Sequence, residues 1–187
     1  AGELIQGLKT AFELAEVELS VIEVKGISIL RALRAMAPPP SGPLILLEFG
    51  VDRVEAHFYQ AGALLFTRTM ELSPEKYGSG MGDWTLLEEQ DMANHLERML
   101  VDLSLQVERL LSFFQHTLRS DSVADIGELW VSGIVPAPER LQAFLHRQLD
   151  GLDIRHVPCP VLVRTPDGAG ESGKCSLAAV GAALQGG

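Results

Sequence analysis

Four carboxylates and one glycine-rich string are the residues of this chain whose types and spacing could do chemistry. Glu48, Glu55, Asp125 and Asp153 fall on or beside predicted strands. Carboxylates gathered on adjacent strands are how two-metal sites hold the cations that drive phosphodiester cleavage. The placement suits that chemistry poorly: Glu48 lies near the end of its strand rather than at its centre, and Glu55 belongs to the outward-facing set of an alternating strand. The string Gly168-Ala-Gly-Glu-Ser-Gly-Lys174-Cys175 satisfies GxxxxGK, a loop whose amides and lysine cradle phosphates while a following hydroxyl holds Mg²⁺. Here a thiol replaces the hydroxyl, and Mg²⁺ takes hard oxygen donors. Pro166 also stands where the end of a buried parallel strand should lead in. The string therefore reads as a Gly/Ser loop ahead of the last helix. The five histidines, His57, His95, His116, His146 and His156, lie in separate elements and read as surface or edge residues. Cys159 and Cys175 show no CxxC spacing and no histidine beside them, so neither a zinc site nor a disulfide framework follows. Trp84 and Trp130 read as packing residues.

The bulk numbers narrow the classes. At 187 residues, 47% hydrophobic and 21% charged, the chain carries enough apolar material for a packed core. Its net charge of −10, from 25 acidic and 15 basic side chains, excludes a duplex nucleic-acid binder, which needs clustered lysine and arginine on the phosphates. No apolar run approaches the roughly 18–20 residues of a membrane span, so direct membrane insertion is not expected. No signal peptide is visible at Ala1, and a reducing, cytoplasmic compartment is the expected location.

The elements that position these residues follow from periodicity. Glu3 to Ala15 has helical spacing, Val17 to Val24 reads as a strand, and Ser28 to Met36 as a helix. Pro38-Pro39-Pro40-Ser41-Gly42 cannot continue that helix and marks a boundary between an N-terminal segment, residues 1–37, and a lobe, residues 43–187. Leu44 to Phe49 is nearly continuous apolar, a strand buried on both faces. Val54, Ala56 and Phe58 alternate with Glu55, His57 and Tyr59, the pattern of a strand with one buried face. Ala61-Gly62 turns the chain into a third strand, Ala63 to Leu72. A loop with Pro74 and several glycines precedes a long helix that starts near Thr85, with Glu88 in a capping-box position, and runs to Leu118, either unbroken or kinked near Asp102-Leu103-Ser104. Strands at Glu128–Val135 and Asp153–Val157 and helices at Ala137–Leu149 and Lys174–Leu184 complete the chain. From the boundary onward the order is βββαβαβα, an α/β lobe of ribonuclease-H-like architecture: a mixed five-stranded sheet with helices on both sides.

In that order the residues resemble the second lobe of an actin-like protein, and specifically the PilM family of type IV pilus assembly, related to FtsA and to the cytoplasmic domain of GspL. Glu18 to Leu33 resembles the segment by which the family leaves its first lobe. Leu47-Glu48-Phe49-Gly50 corresponds to an Asp-hydrophobic-Gly turn that faces a nucleotide phosphate. Gly62-Ala-Leu-Leu-Phe-Thr-Arg68 resembles the family's third strand, Val107 to Phe114 its helix, Leu129-Trp-Val-Ser-Gly133 the strand leading to its Gly-Gly adenosine motif, and Ser176 to Leu184 its closing helix. The resemblance implies Glu48, Gly50 and Gly133 as nucleotide-facing positions. The chain departs from the family there. Glu48 replaces Asp, Val51-Asp52-Arg53 replaces small and hydroxyl residues, and Ile134 follows the single Gly133. A bulky side chain and a carboxylate would crowd and repel a phosphate that needs close backbone approach. The implied function is a non-catalytic, cofactor-free scaffold on the inner-membrane platform of a type IV pilus or related secretion system. It would be cytoplasmic, held at the membrane through partners, and able to self-associate. Its partner would be the cytoplasmic tail of a bitopic PilN-like protein, held in a groove or by strand addition. The alternative is an ATP-binding enzyme completed by a first lobe, with ATP and Mg²⁺ only if the two-lobe protein retains a site.

Overall fold

The run Leu44-Ile-Leu-Leu-Glu-Phe49 needs cover on both faces, and every one of its residues is buried. In the computed structural model it is the central strand of a five-stranded sheet ordered β3-β2-β1-β4-β5. The strands are β1 Leu44–Phe49, β2 Arg53–Gln60, β3 Ala63–Glu71, β4 Glu128–Gly133 and β5 Asp153–His156. β1, β2 and β3 form an antiparallel meander, β4 runs parallel to β1, and β5 parallel to β4. The structure describes residues 2–36, 42–72, 74–77, 89–118, 126–135, 137–158 and 176–185.

The two alternating sets of β1 lead to two separate cores. Ile45, Leu47 and Phe49, with Phe58 of β2 and Val131 of β4, pack against α3 (Glu89–Phe113) and α4 (Pro138–Gln148). Phe58 stacks on Phe66 of β3 at 4.1 Å between ring centroids. Leu44 and Leu46, with Tyr59 and Trp130, pack against Ile29, Leu30 and Leu33 of α2 (Lys25–Met36) and Leu177 and Val180 of α5 (Leu177–Ala183). The result is three layers, helices on both sides of the sheet, as the strand and helix order predicts. Trp130 is a packing residue, with its indole N–H donating to Glu128 Oε2 at 2.9 Å.

Several expectations change. Val17–Val24 forms no strand. The flanking helices instead take up both ends of this apolar segment, which links α1 (Gly2–Leu14) to α2: the Val17 amide donates to the Phe12 carbonyl of α1, and Val24 offers its carbonyl to the Ile27 and Ser28 amides that start α2. α2 belongs to the second layer of the lobe, although the proline boundary assigns it to the N-terminal segment. α1 has no buried residue. The second face of β2 is also covered: His57 is 1% exposed and Tyr59 3%, because α2 lies over them. Among the described residues α3 is unbroken across Asp102-Leu103-Ser104, and it ends in a π-turn over Phe114–Leu118. The capping-box start at Thr85–Glu88 lies outside the described residues. Gly133 closes β4 at φ +91°, where a Cβ would overlap the Phe49 carbonyl. No helix among the described residues is long and apolar enough to cross a membrane.

Candidate functional site

The face of β1 that meets α2 and α5 starts with Leu44 and Leu46 and ends in a carboxylate. The sheet register sets Glu48 directly opposite Glu55 of β2 on one side and Ser132 of β4 on the other. His57 follows Glu55 by two residues and shares its face. The first residue of α2 completes the cluster: Lys25 Nζ lies 2.6 Å from Glu48 Oε2 and 2.8 Å from Glu55 Oε2. Its aligned hydrogen bond goes to Glu55, and the contact with Glu48 is an ion pair outside hydrogen-bond geometry.

Three further contacts fix α2 over this point. The Tyr59 hydroxyl donates to the Gly26 carbonyl at 2.8 Å. Arg31 and Ser28 both donate to the Glu23 carboxylate, Ser28 Oγ at 2.5 Å. Arg31 also donates to the Gly181 carbonyl of α5 at 2.8 Å. At the start of α5, Ser176 accepts from the Ala178 amide at 3.2 Å as the helix cap while its hydroxyl donates to Glu48 Oε1 at 3.1 Å. One serine thus caps a helix and holds the buried carboxylate.

The electrostatics follow. Burial pushes the Glu48 carboxyl up, but the polar and charged neighbours around it, His57, Lys25 and the Ser176 hydroxyl, outweigh it and hold it below the usual carboxylate range. Burial disfavours the Lys25 ammonium, and its two carboxylate partners more than compensate, raising it above the ordinary lysine value. Burial, then the Glu48 charge, pushes the Tyr59 phenol up. His57 Nδ1 is 2.9 Å from Thr67 Oγ1, and its Nε2 faces Glu48 Oε2 and Glu55 Oε2 at 3.6 and 3.7 Å.

The three nucleotide-facing positions drawn from the sequence meet at one end of the sheet, at the C-terminal ends of the parallel pair β1 and β4, where Phe49 and Gly133 are register partners. The Gly50 amide donates to the Arg53 carbonyl at 2.8 Å, closing the β1–β2 turn. In that turn Arg53 clamps Asp52 with two hydrogen bonds at 2.8 Å, which hold the Asp52 carboxyl below its ordinary value. The carboxylates of the two-metal pattern separate. Glu48 and Glu55 are neighbours, whereas Asp153 is exposed and paired with Arg155 on β5. Asp125, Trp84, Cys159 and the Gly168–Cys175 string lie outside the described residues. Sequence reading missed His57 and Lys25. The signal for His57 was its register two residues from Glu55, legible only once α2 is known to cover that face.

Neither a family model nor a curated protein matches the sequence. The shape is informative: the mixed sheet and its two helical layers are those of the actin-like ATPase fold. Among solved structures, a PilM–PilN type IV pilus biogenesis complex contains a chain similar to this one at a TM-score of 0.64 and 21% identity, covering 97% of this chain and 57% of that chain. The ethanolamine utilization protein EutJ from Carboxydothermus hydrogenoformans is similar at a TM-score of 0.51 and 14% identity, covering 78% of this chain and 52% of its own. This chain therefore spans little more than half the length of either neighbour.

Proposed function

We propose that this chain is a non-catalytic actin-like scaffold lobe of a type IV pilus or related secretion platform. It sits at the cytoplasmic side of the inner membrane through its partners and binds the cytoplasmic tail of a PilN-like protein. The partner class is drawn from the likeness to the PilM–PilN complex, which extends over 97% of this chain. The observation that carries the non-catalytic half is the β1–β2 turn. A phosphate held there needs free backbone amides and no competing negative charge. The Gly50 amide is already spent on Arg53, Asp52 puts a carboxylate in the turn, and Glu48 is neutralised from the α2 side by Lys25. These residues do not fit an ATP–Mg²⁺ group.

A second reading has one observation in its favour. Glu48, Gly50 and Gly133 converge where the connections of the adjacent parallel strands β1 and β4 leave toward opposite edges of the sheet, which is where open α/β sheets bind ligands. On that reading a first lobe completes an ATP site. Immobilised tail peptides of the host's PilN-like protein separate the two. The scaffold reading expects retention of the full-length protein whether or not ATP and Mg²⁺ are present. Failure to retain it, together with ATP turnover by the same preparation, would sink the scaffold reading.

A further inference from the structure

The Glu48–Glu55–His57 cluster gathers three side chains that can ligate a metal. We infer that it is a site for a divalent transition-metal ion of the zinc class, with Lys25 as its built-in competitor.

One ligand atom from each of Glu48, Glu55 and His57 lies within 4.8 Å of the other two. Tetrahedral ligands at about 2.0–2.1 Å from zinc stand roughly 3.3 Å apart, and His57 Nε2 lies 3.6 and 3.7 Å from the two carboxylate oxygens. Those separations are too long for hydrogen bonds and a few tenths of an ångström wider than a shared ion sets. His57 is 1% exposed, and its Nε2 has no hydrogen-bond partner among the described residues although it is aimed between two anions. Its other nitrogen is hydrogen-bonded to Thr67 Oγ1. That is the kind of outer contact that orients a metal-binding histidine: in the tautomer where Nδ1–H donates to Thr67 Oγ1, the Nε2 lone pair faces the cluster and is available to an ion. Ser132, opposite Glu48, is wholly buried with a hydroxyl that has no partner among the described residues, adding an oxygen on the same face. The donor set of one imidazole and two carboxylates suits zinc-class ions better than Mg²⁺, which takes oxygen.

Lys25 already places one positive charge between the carboxylates. Its side chain is 45% exposed and its stem flexible, so it can swing into solvent and yield to a divalent ion. The cluster then exchanges a bond between α2 and the sheet for a metal held by the sheet alone.

The test is a Co²⁺ titration of the full chain followed by visible d–d absorption, with Zn²⁺ as competitor and circular dichroism confirming the fold of each variant. The wild type should show saturable absorption that Zn²⁺ abolishes. Lys25→Met should bind about tenfold tighter, and Glu55→Gln and His57→Gln about tenfold or more weaker. Glu55 is the less buried ligand, so Glu55→Gln supplies the answer if His57→Gln does not fold. Absence of saturable absorption in both wild type and Lys25→Met overturns the inference. Absorption that persists unchanged in Glu55→Gln overturns it as well.

Discussion

Replacing Lys25 by methionine keeps much of the stem and removes the cation that sits between Glu48 and Glu55. Removing one partner of a buried ion pair costs about 3–5 kcal/mol. Water screens the exposed half of Lys25, and exposed pairs contribute about 1 kcal/mol or less. Glu48 also keeps the Ser176 hydroxyl. The expected loss at neutral pH is therefore about 1–3 kcal/mol. Its pH dependence carries the stronger test. In the wild type the folded Glu48 carboxyl titrates below its unfolded value. The stability it contributes is thus present above about pH 4.3 and is lost as pH falls through the folded value. In Lys25→Met the lowering effect of Lys25 is gone while the burial stays, so the variant's carboxyl should titrate above the wild type's and take up its proton at higher pH. The penalty should then shrink as pH falls from about 7 to about 4. Urea midpoints at both pH values, for Lys25→Met, Glu48→Gln and the double variant, give the coupling energy. A penalty independent of pH, or the same penalty in the Glu48→Gln background, would refute the placement of Lys25 as counter-charge to a buried carboxylate.

Other outcomes follow from the same contacts. Gly181→Ala, which in an exposed helix would stabilise by about 1 kcal/mol, should destabilise here, because a Cβ would overlap the Ser28 carbonyl of α2; urea unfolding reads the sign. Gly133→Ala should cost about 2 kcal/mol or more, from its positive φ and the overlap with the Phe49 carbonyl. Burial pushes both tyrosine phenols, Tyr59 and Tyr77, above the ordinary value. Ultraviolet titration should therefore show no phenolate near pH 10 in the folded protein. The stability due to the neutral phenols should disappear as pH rises above that value, and a native phenolate titrating near pH 10 contradicts the burial. Tyr59→Phe should cost about 1 kcal/mol by removing the hydroxyl that ties the sheet to the Gly26 carbonyl of α2.

Much of the sheet was legible because its strands declare themselves locally. Leu44–Phe49 is apolar in both alternating sets, and the Ala61-Gly62 turn fixes the β2–β3 pairing. The candidate site was less legible, because its members meet through packing. Lys25 precedes Glu48 by 23 positions and reaches it only because α2 docks on the sheet, which the proline-rich boundary conceals. His57 sits in an alternating pattern that normally marks a solvent face, and the helix covering that face reverses the meaning. Val17–Val24 has strand composition, but its two ends are hydrogen-bonded into the flanking helices. Gly133 was legible as special, and the structure adds a steric reason in the close approach of Phe49.

The most direct measurement of the central claim is calorimetric titration of the full-length protein with the cytoplasmic tail peptide of the host's PilN-like protein, with and without ATP and Mg²⁺. A scaffold lobe predicts saturable peptide binding of the same affinity in both conditions and no heat from nucleotide alone. Saturable ATP binding, with peptide binding absent or appearing only in its presence, would contradict it.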